Sequence, residues 1–218
     1  MSLAIRWLGR IDFEKALALQ EDIVRNKIEK DAPDELLLLE HEPVYTIGRI
    51  PDQSSLVNPM GLPHPVVHIN RGGQATYHGP GQLVGYPILD LTRKGKDLHR
   101  YLRALEEIII EVLIRYGVNG QRKEGLTGVW IGPRKIASIG IGIRRWISMH
   151  GFALNVCGDL DPFNHIVPCG IQGVKITSIE NETGTAVDVE EVAGVAGEIF
   201  SSRIDALIGG GEAHHEGR

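Results

Sequence analysis

Cysteine is scarce in this chain of 218 residues, which has only Cys157 and Cys169. Two cysteines form at most one disulfide, so nothing points to an oxidising compartment. Long apolar runs are also missing. The longest, such as residues 36–39, span four residues, far fewer than the ~20 residues that a transmembrane helix needs. The N-terminal residues lack the charged-then-apolar order of a signal peptide. We therefore expect a cytoplasmic protein without a membrane partner.

An excess of basic residues is absent as well. The chain has 23 Lys and Arg against 28 Asp and Glu, a net charge of −5. A nucleic-acid-binding protein usually carries the opposite balance, so we expect no nucleic-acid partner. What the chain does have is 42% hydrophobic and 23% charged residues, the composition of a folded globular protein.

The apolar pattern predicts helices and strands in irregular alternation. Apolar residues at steps of three and four predict helices over 12–30, with Asp12 as N-cap, over 97–116 and over 187–207. A proline-rich loop is predicted over 51–65. This mixture favours an α+β fold with a mixed β-sheet core and flanking helices. No interior linker is evident, so we expect one domain over 1–218, with 209–218 as a flexible tail. The predicted strands are 36–39, 44–47, 66–70, 83–91, 129–131, 136–143 and 146–156.

Candidate binding residues are densest in segment 71–82, which contains four glycines. Glycine lets a backbone approach a ligand closely and lets N–H groups point into a concavity. A Gly-rich segment of this kind is also typical of a tight turn or bulge. It is not a phosphate-binding P-loop, because no Gly-Lys-Ser/Thr ends it. It is not a dinucleotide fingerprint either, because no helical pattern follows.

Cys169 and Lys135 are the candidate reactive residues. Cys169 lies between Pro168 and Gly170, which disfavour a central helix or strand, so we expect it on a loop. A reactive cysteine needs a nearby cation or helix N-terminus to lower its pKa. Lys135 follows a Gly-Pro turn, where a lysine is usually a solvated hairpin tip. However, the small apolar residues 136–142 after it suit the wall of a narrow slot. No histidine spacing resembles a zinc site.

Four segments together resemble the octanoyltransferases of lipoate biosynthesis, in the biotin and lipoate protein ligase superfamily. They are residues 71–82, 135–140, 150–155 and 168–171, and their order and spacing agree from about residue 30 to residue 181. The resemblance implies a catalytic fold shared with biotin protein ligases and, distantly, with class II aminoacyl-tRNA synthetases.

The resemblance also implies an activity, which is the transfer of an octanoyl or lipoyl group from acyl carrier protein to a specific lysine of a lipoyl domain. The implied acceptors are the lipoyl domains of 2-oxoacid dehydrogenases and the glycine cleavage H protein. Cys169 is the implied acyl-thioester nucleophile, and Lys135 is the residue that lowers its pKa and transfers protons. Passage from thioester to amide is downhill, so we expect no ATP, other cofactor or metal. The implied substrate-binding residues are Arg71, Gly72, Gly73, Gln74, Ala75, Thr76, Tyr77, His78, Ser138, Ile139, Gly140, Gly151, Phe152 and Ala153.

Three alternative functions remain open from the sequence. An ATP-dependent lipoate protein ligase would share the fold but needs no nucleophilic cysteine, so residues 168–170 argue against it. A non-catalytic binding protein of the ligase fold would be expected to lack Cys169 or Lys135. A cysteine hydrolase with His150 or His165 as base is a third alternative, but neither histidine lies in a recognisable nucleophile motif. The residues after 183 carry no usable motif.

Overall fold

The described chain, residues 3–49, 61–167 and 173–209 of a computed structural model, forms two β-sheets. Its strands in chain order are β1 (Ala4–Ile11), β2 (Glu35–His41), β3 (Val44–Ile47), β4 (Val66–His68), β5 (Ala75–His78), β6 (Gln82–Ile88), β7 (Gln121–Lys123), β8 (Leu126–Ile131), β9 (Arg134–Arg144), β10 (Ile147–Asn155) and β11 (Lys175–Ile176). The large sheet has the order β1-β2-β6-β10-β9-β8-β7, with β11 beside β9, and the small sheet has the order β4-β3-β5. In the large sheet the β1–β2 and β9–β11 pairs are parallel, and the other neighbours are antiparallel.

Three features predicted from the sequence lie wholly or partly outside the described residues. They are the candidate nucleophile Cys169, residues 210–218 of the expected flexible tail, and most of the predicted loop over 51–65. Gly209, which we assigned to the tail, is the last residue of a helix.

Within the described residues, four α-helices flank the large sheet: α1 (Phe13–Lys30), α2 (Leu98–Arg115), α3 (Ile179–Thr183) and α4 (Val189–Gly209). The Asp12 side chain accepts hydrogen bonds from the backbone N–H groups of Glu14 and Lys15, so it caps α1 as predicted. None of the described helices is both long and apolar enough to cross a membrane.

Strand β2 explains why helices lie on both faces of the sheet. Its four leucines are buried, and successive side chains of a strand point to opposite faces. Leu36 and Leu38 belong to the apolar cluster that includes α2 and α4. Leu37 and Leu39 belong to the cluster on the other face, with Ile23 and other residues of α1. This mixed sheet with flanking helices confirms the predicted α+β class.

The small sheet positions the Gly-rich segment against the large sheet. Tyr45, Tyr77 and Phe163 are members of an apolar cluster that packs this sheet. From the small sheet, the backbone N–H of Arg49 donates to the carbonyl of Arg71 over 3.0 Å. On the other side, the N–H of Gly72 donates to the carbonyl of Ile141 in β9, also over 3.0 Å. Residues 71–74 are therefore held between the end of β3 and strand β9.

Candidate active site

An apolar slot lies between the Gly-rich segment and strands β9 and β10. The volume that the centre of a water molecule can reach in it is about 60 Å³, so the slot is narrow. All but two of the predicted substrate-binding residues line it, together with four residues that were not predicted to bind substrate. The lining residues are Phe13, Ile69, Arg71, Gly73, Gln74, Ala75, Thr76, His78, Tyr86, Ser138, Ile139, Gly140, His150, Gly151, Phe152 and Ala153.

Tyr77 and Gly72 are the two predicted binding residues outside this lining. In β5, Thr76 and His78 share one face and line the slot, whereas Tyr77 lies on the other face. Its ring packs against Tyr45 at 5.4 Å between centroids and serves the core of the small sheet. Gly72 lines an adjoining hollow instead, which also contains Lys135.

Arg71 is buried and braces the Gly-rich segment. Its guanidinium donates to the carbonyl oxygen and the hydroxyl of Thr46 in β3, each over 2.9 Å, and to the carbonyl of Gly72 over 2.9 Å. Because these bonds connect the segment to the small sheet, Arg71 positions the slot wall in addition to lining it.

Neutral histidines lie at one side of the slot. Burial lowers the pKa of His78 to about 3, with added repulsion from His41, Arg71 and His150. Burial likewise lowers the pKa of His41 to about 4 and that of His150 to about 4, the latter also through Arg71 and Arg49. Uncharged imidazoles are compatible with an apolar ligand, whereas a charged ring in this enclosure would disfavour one.

The hydrogen bonds define which ring nitrogens carry the proton. His41 donates from Nδ1 to the carbonyl of Ile11 over 3.0 Å, so its Nε2 accepts from the Tyr86 hydroxyl over 2.7 Å. The amide N–H of Gln82 donates to Tyr77 and Asn155, which leaves its Oε1 to accept from His78 Nδ1 over 2.7 Å. Both nitrogens of His41 and Nδ1 of His78 are therefore held by hydrogen bonds, in the arrangement that a neutral imidazole makes.

A chain of side-chain bonds leads from this slot to strand β11. Gln82 donates to Asn155 Oδ1 over 2.9 Å, and Asn155 donates to the carbonyl of Thr177 over 3.0 Å. The N–H of Thr177 in turn donates to the carbonyl of Lys135 over 3.0 Å. The slot and the strand that carries Lys135 are thus one connected framework.

The lowered pKa of the buried His41 predicts how the free energy of unfolding depends on pH. Because the folded pKa of His41 lies below the unfolded value of 6.5, the unfolded state binds more protons between these values. The free energy of unfolding should fall as the pH drops from about 6.5 towards 4. The free energy of unfolding is measured by urea denaturation at pH 7 and at pH 5. Its decrease between these two pH values should be about 2 kcal/mol smaller in His41→Gln than in the unaltered protein. His99→Gln, at an exposed position of α2, is the control. An equal loss in all three proteins would contradict the assignment of a neutral buried His41.

Lys135 lies in a hollow that adjoins the slot. It is only 1% exposed, so the interpretation of Lys135 as a solvated hairpin tip is wrong. It is the second residue of β9, because the strand begins two residues earlier than predicted. Its ammonium donates to the carbonyl of Thr127 over 3.2 Å and lies 5.3 Å from the centre of the Trp130 ring. The hollow and the slot share Gly73, Gln74 and Ile139 as lining residues.

Cys157 is a half-buried free thiol that lines neither the slot nor the Lys135 hollow. Burial raises its pKa, and the carboxylates of Glu180 and Glu40 raise it further. A raised pKa suppresses the thiolate at neutral pH, so Cys157 has the wrong environment for a nucleophile.

Several residues of this site were not predicted. Gln82, His150 and Asn155 lie within segments 71–82 and 150–155, and their place in these motifs is the signal that could have identified them. Phe13 is simply the first residue of α1, and His41 ends β2. No local pattern marks these two: the packing of α1 against the sheet brings Phe13 to the slot, and His41 lies behind the lining, in contact with Phe13 and hydrogen-bonded to Tyr86.

Comparisons with known proteins show to which family the chain belongs. Residues 12–201 match the family model of the lipoyl protein ligase A/B catalytic domain. The octanoyltransferase of Geobacter metallireducens is 52% identical over 190 residues, which cover 87% of this chain and 88% of that protein. The octanoyltransferase of Geobacter sulfurreducens is 50% identical over 201 residues, which cover 92% of this chain and 84% of that protein.

Solved structures share the fold at low sequence identity. A lipoate-protein ligase A bound with ATP has a TM-score of 0.79 at 18% identity, covering 94% of this chain and 86% of its own. A biotin protein ligase from Aquifex aeolicus in complex with biotin and ATP has a TM-score of 0.58 at 15% identity, with 94% and 72% covered. These likenesses confirm the predicted biotin/lipoate ligase fold. On the family model and the relatives at about 50% identity, the chain belongs to the octanoyltransferase family of lipoyl protein ligase A/B catalytic domains and is an acyltransferase.

Proposed function

We propose that this protein transfers an octanoyl group from acyl carrier protein to a specific lysine of lipoyl domains, through a thioester on Cys169 that Lys135 assists. The observation that carries the proposal is the junction of two spaces. A narrow apolar slot suited to an acyl chain meets a hollow that contains a buried lysine, along Gly73, Gln74 and Ile139.

The apolar slot supplies binding energy for the acyl chain. An octanoyl group has six methylenes, and burial of each contributes ~0.8 kcal/mol, up to ~5 kcal/mol in total. The lowered pKa values of His78 and His150, which line the slot, keep both rings neutral and compatible with such a chain at neutral pH.

The Lys135 hollow supplies polar groups for the reacting end. In the described part of the chain, Gln74 Oε1 and Trp130 Nε1 are buried and lack a hydrogen-bond partner, and both residues line this hollow. A buried polar atom without a partner is costly, so such atoms often mark a ligand position. One acceptor and one donor suit a thioester carbonyl and an incoming amine.

The chain on both sides of Cys169 supports its assignment as the nucleophile. On the N-terminal side, Ile166 packs into the apolar cluster of the small sheet. On the C-terminal side, Ile176 of β11 pairs directly with Lys135. The segment that contains Cys169 therefore connects the small sheet to the strand beside Lys135.

The proposed reaction has two steps. The Cys169 thiolate attacks the carbonyl carbon of the donor thioester, an acyl–sulfur bond forms, and the carrier-protein thiolate leaves. The acceptor lysine then attacks the acyl-cysteine as a neutral amine, an amide forms, and the Cys169 thiolate leaves. The Lys135 ammonium stabilises the Cys169 thiolate by charge and gives its proton to the carrier-protein thiolate as that group leaves. The neutral Lys135 amine then accepts the proton that the acceptor amine releases in the second step, which restores the ammonium.

The alternative functions are disfavoured by particular observations. An ATP-dependent ligase would need ATP to activate a free acid, and the relatives at about 50% identity are named octanoyltransferases. For a hydrolase, His150 or His165 would be the expected base, yet neither lines the Lys135 hollow, and His150 lines the acyl slot instead. Pyrophosphate release or hydrolysis of the donor separates these activities from transfer.

The activity test is transfer between purified proteins. The protein is mixed with octanoyl carrier protein and a lipoyl domain in the absence of ATP. The mass of the intact lipoyl domain is then measured by mass spectrometry. We expect one octanoyl group on the domain, at its acceptor lysine. An ATP requirement would favour the ligase function, and release of free octanoate without transfer would favour the hydrolase.

A second prediction tests whether the slot holds the acyl chain. Ser138→Val adds volume to the slot wall in β9, where a β-branched residue suits the strand. Transfer from octanoyl donor should fall by about tenfold or more, because overpacking costs ~1–3 kcal/mol, while butanoyl transfer should fall much less. Gly73 is a poorer test position, since its φ of 83° makes any side chain strained. If the transfer rates from both donors fell equally in a variant of unchanged melting temperature, the acyl chain would not occupy the slot.

A further inference from the structure

A second cavity lies next to the far side of the acyl slot. The volume that the centre of a water molecule can reach in it is about 530 Å³, much larger than in the slot. Leu17 and Val24 of α1 contribute apolar surface to its lining, together with Ile143 and Met149 of the β9–β10 hairpin. The polar part of the lining is exposed and consists of Glu21, His68, Asn70 and Arg144. The slot and this second cavity share only Ile69 and His150 among the described residues. These two side chains form the partition between them.

Strand β9 gives the order of the three spaces. Lys135 of the hollow comes first, and Ser138 to Gly140 of the slot follow. Ile141, which still lines the hollow beside the slot, is next and pairs with His150 across the hairpin. Ile143 and Arg144, which line the second cavity, come last. The partition therefore stands at the end of the slot away from Lys135.

His150 is held in this place by an unusual backbone. Its φ of 56° lies in the left-handed region, which non-glycine residues seldom adopt. The side-chain oxygen of Gln20, a fully buried residue of α1, accepts from the His150 backbone N–H over 2.8 Å. A Cβ on Gly142 would lie 3.1 Å from His150 Cδ2, so the glycine leaves room for the ring. Strain of this kind persists where the surrounding structure requires it.

We propose that the His150 side chain, with Ile69, closes the end of the acyl slot and thereby limits the length of the acyl chain that the protein accepts. The proposal rests on the proposed function for the identity of the ligand. The second cavity is the space into which a longer chain would extend if the ring were absent. His150 is thus a specificity-determining residue rather than a catalytic one.

The test uses His150→Gly, because glycine accepts the left-handed backbone and keeps the N–H that Gln20 binds. Affinities of the unaltered protein and the variant for free octanoate and dodecanoate are measured by titration calorimetry. Each methylene that gains burial is worth about fourfold in affinity. The ratio of dodecanoate to octanoate affinity should therefore rise by about tenfold or more, and transfer from dodecanoyl carrier protein should rise relative to octanoyl in the same direction.

Two further variants make the result specific. Ile69→Ala opens the same partition from its other side and should shift the ratio in the same direction, even if His150→Gly fails to fold. Met149→Ala enlarges the second cavity without touching the slot lining, so its ratio should stay as in the unaltered protein. An unchanged ratio in folded His150→Gly and Ile69→Ala would overturn the proposal, as would an equal shift in Met149→Ala.

The same data separate this proposal from the proposed function. Octanoate binding without any octanoyl transfer would contradict the transferase activity, while the affinity ratios would still report on the partition. If the unaltered protein bound no octanoate and transferred no octanoyl group, both proposals would be wrong.

Discussion

Cys169→Ala is expected to abolish transfer of the octanoyl group, whereas Cys157→Ala keeps it. The reason is chemical: the proposed thioester needs a thiolate, and alanine offers no nucleophile. Loss of the nucleophile from such a site typically costs ~10⁴-fold or more in rate. The measurement is the rate at which the lipoyl domain gains octanoyl mass, with each variant at equal concentration.

Cys157→Ala is a matched control because it removes the other thiol of the chain. Burial and neighbouring carboxylates raise the pKa of Cys157, so its loss should leave the rate nearly unchanged. Normal transfer by Cys169→Ala would contradict a covalent intermediate on Cys169. Loss of transfer in Cys157→Ala alone would mean that the thioester forms on Cys157 instead.

Lys135→Met is expected to slow both half-reactions while the fold is retained. Methionine keeps much of the aliphatic stem in a site that is 1% exposed, but it removes the ammonium. Without the nearby cation, the pKa of the Cys169 thiol should rise towards ~8.5, and loss of the proton acceptor should add to the effect. We expect transfer to fall by about 100-fold or more.

The direct readout for Lys135 is the pH dependence of iodoacetamide alkylation at Cys169, measured in a Cys157→Ala background. The alkylation profile of Lys135→Met should move to higher pH. Lys123→Met is the matched control, since the Lys123 ammonium lies 4.4 Å from the centre of the same Trp130 ring but does not line the hollow. If the Lys135→Met profile is unshifted, Lys135 acts through packing and not through charge.

The helices were predictable because their apolar residues repeat along one face. In α2, seven buried apolar residues from Tyr101 to Leu113 recur at the period of a helix, and Asp12 marks the start of α1 by its capping side chain. Strand β2 was predictable for a different reason, since a run of leucines is typical of a strand buried on both faces.

The strands that were missed lack such a pattern. Strand β1 is an edge strand, mostly not buried, and its pairing with β2 is interrupted between Trp7 and Arg10. Strand β5 lies inside the Gly-rich segment, where the glycines indicated turns. The short elements β7, β11 and α3 span five residues or fewer, so they show no period.

The site was predictable where its residues share a motif and not where tertiary packing brings them in. Residues of the Gly-rich segment and of β9 and β10 line the slot largely as expected. Phe13, Ile69 and Tyr86 reach it from separate elements, and no pattern in the sequence connects them. The partition at His150 depends on a left-handed backbone, which no neighbouring residue in the sequence demands.

The central claim is that the octanoyl group passes through a covalent intermediate on this chain. The measurement that tests it most directly is the intact mass of the protein after mixing with octanoyl carrier protein in the absence of a lipoyl domain. We predict the addition of one octanoyl group on Cys169, which hydroxylamine removes and which a lipoyl domain added later acquires. An unmodified protein that nevertheless transfers octanoyl groups, or an adduct that the lipoyl domain does not acquire, would contradict the account.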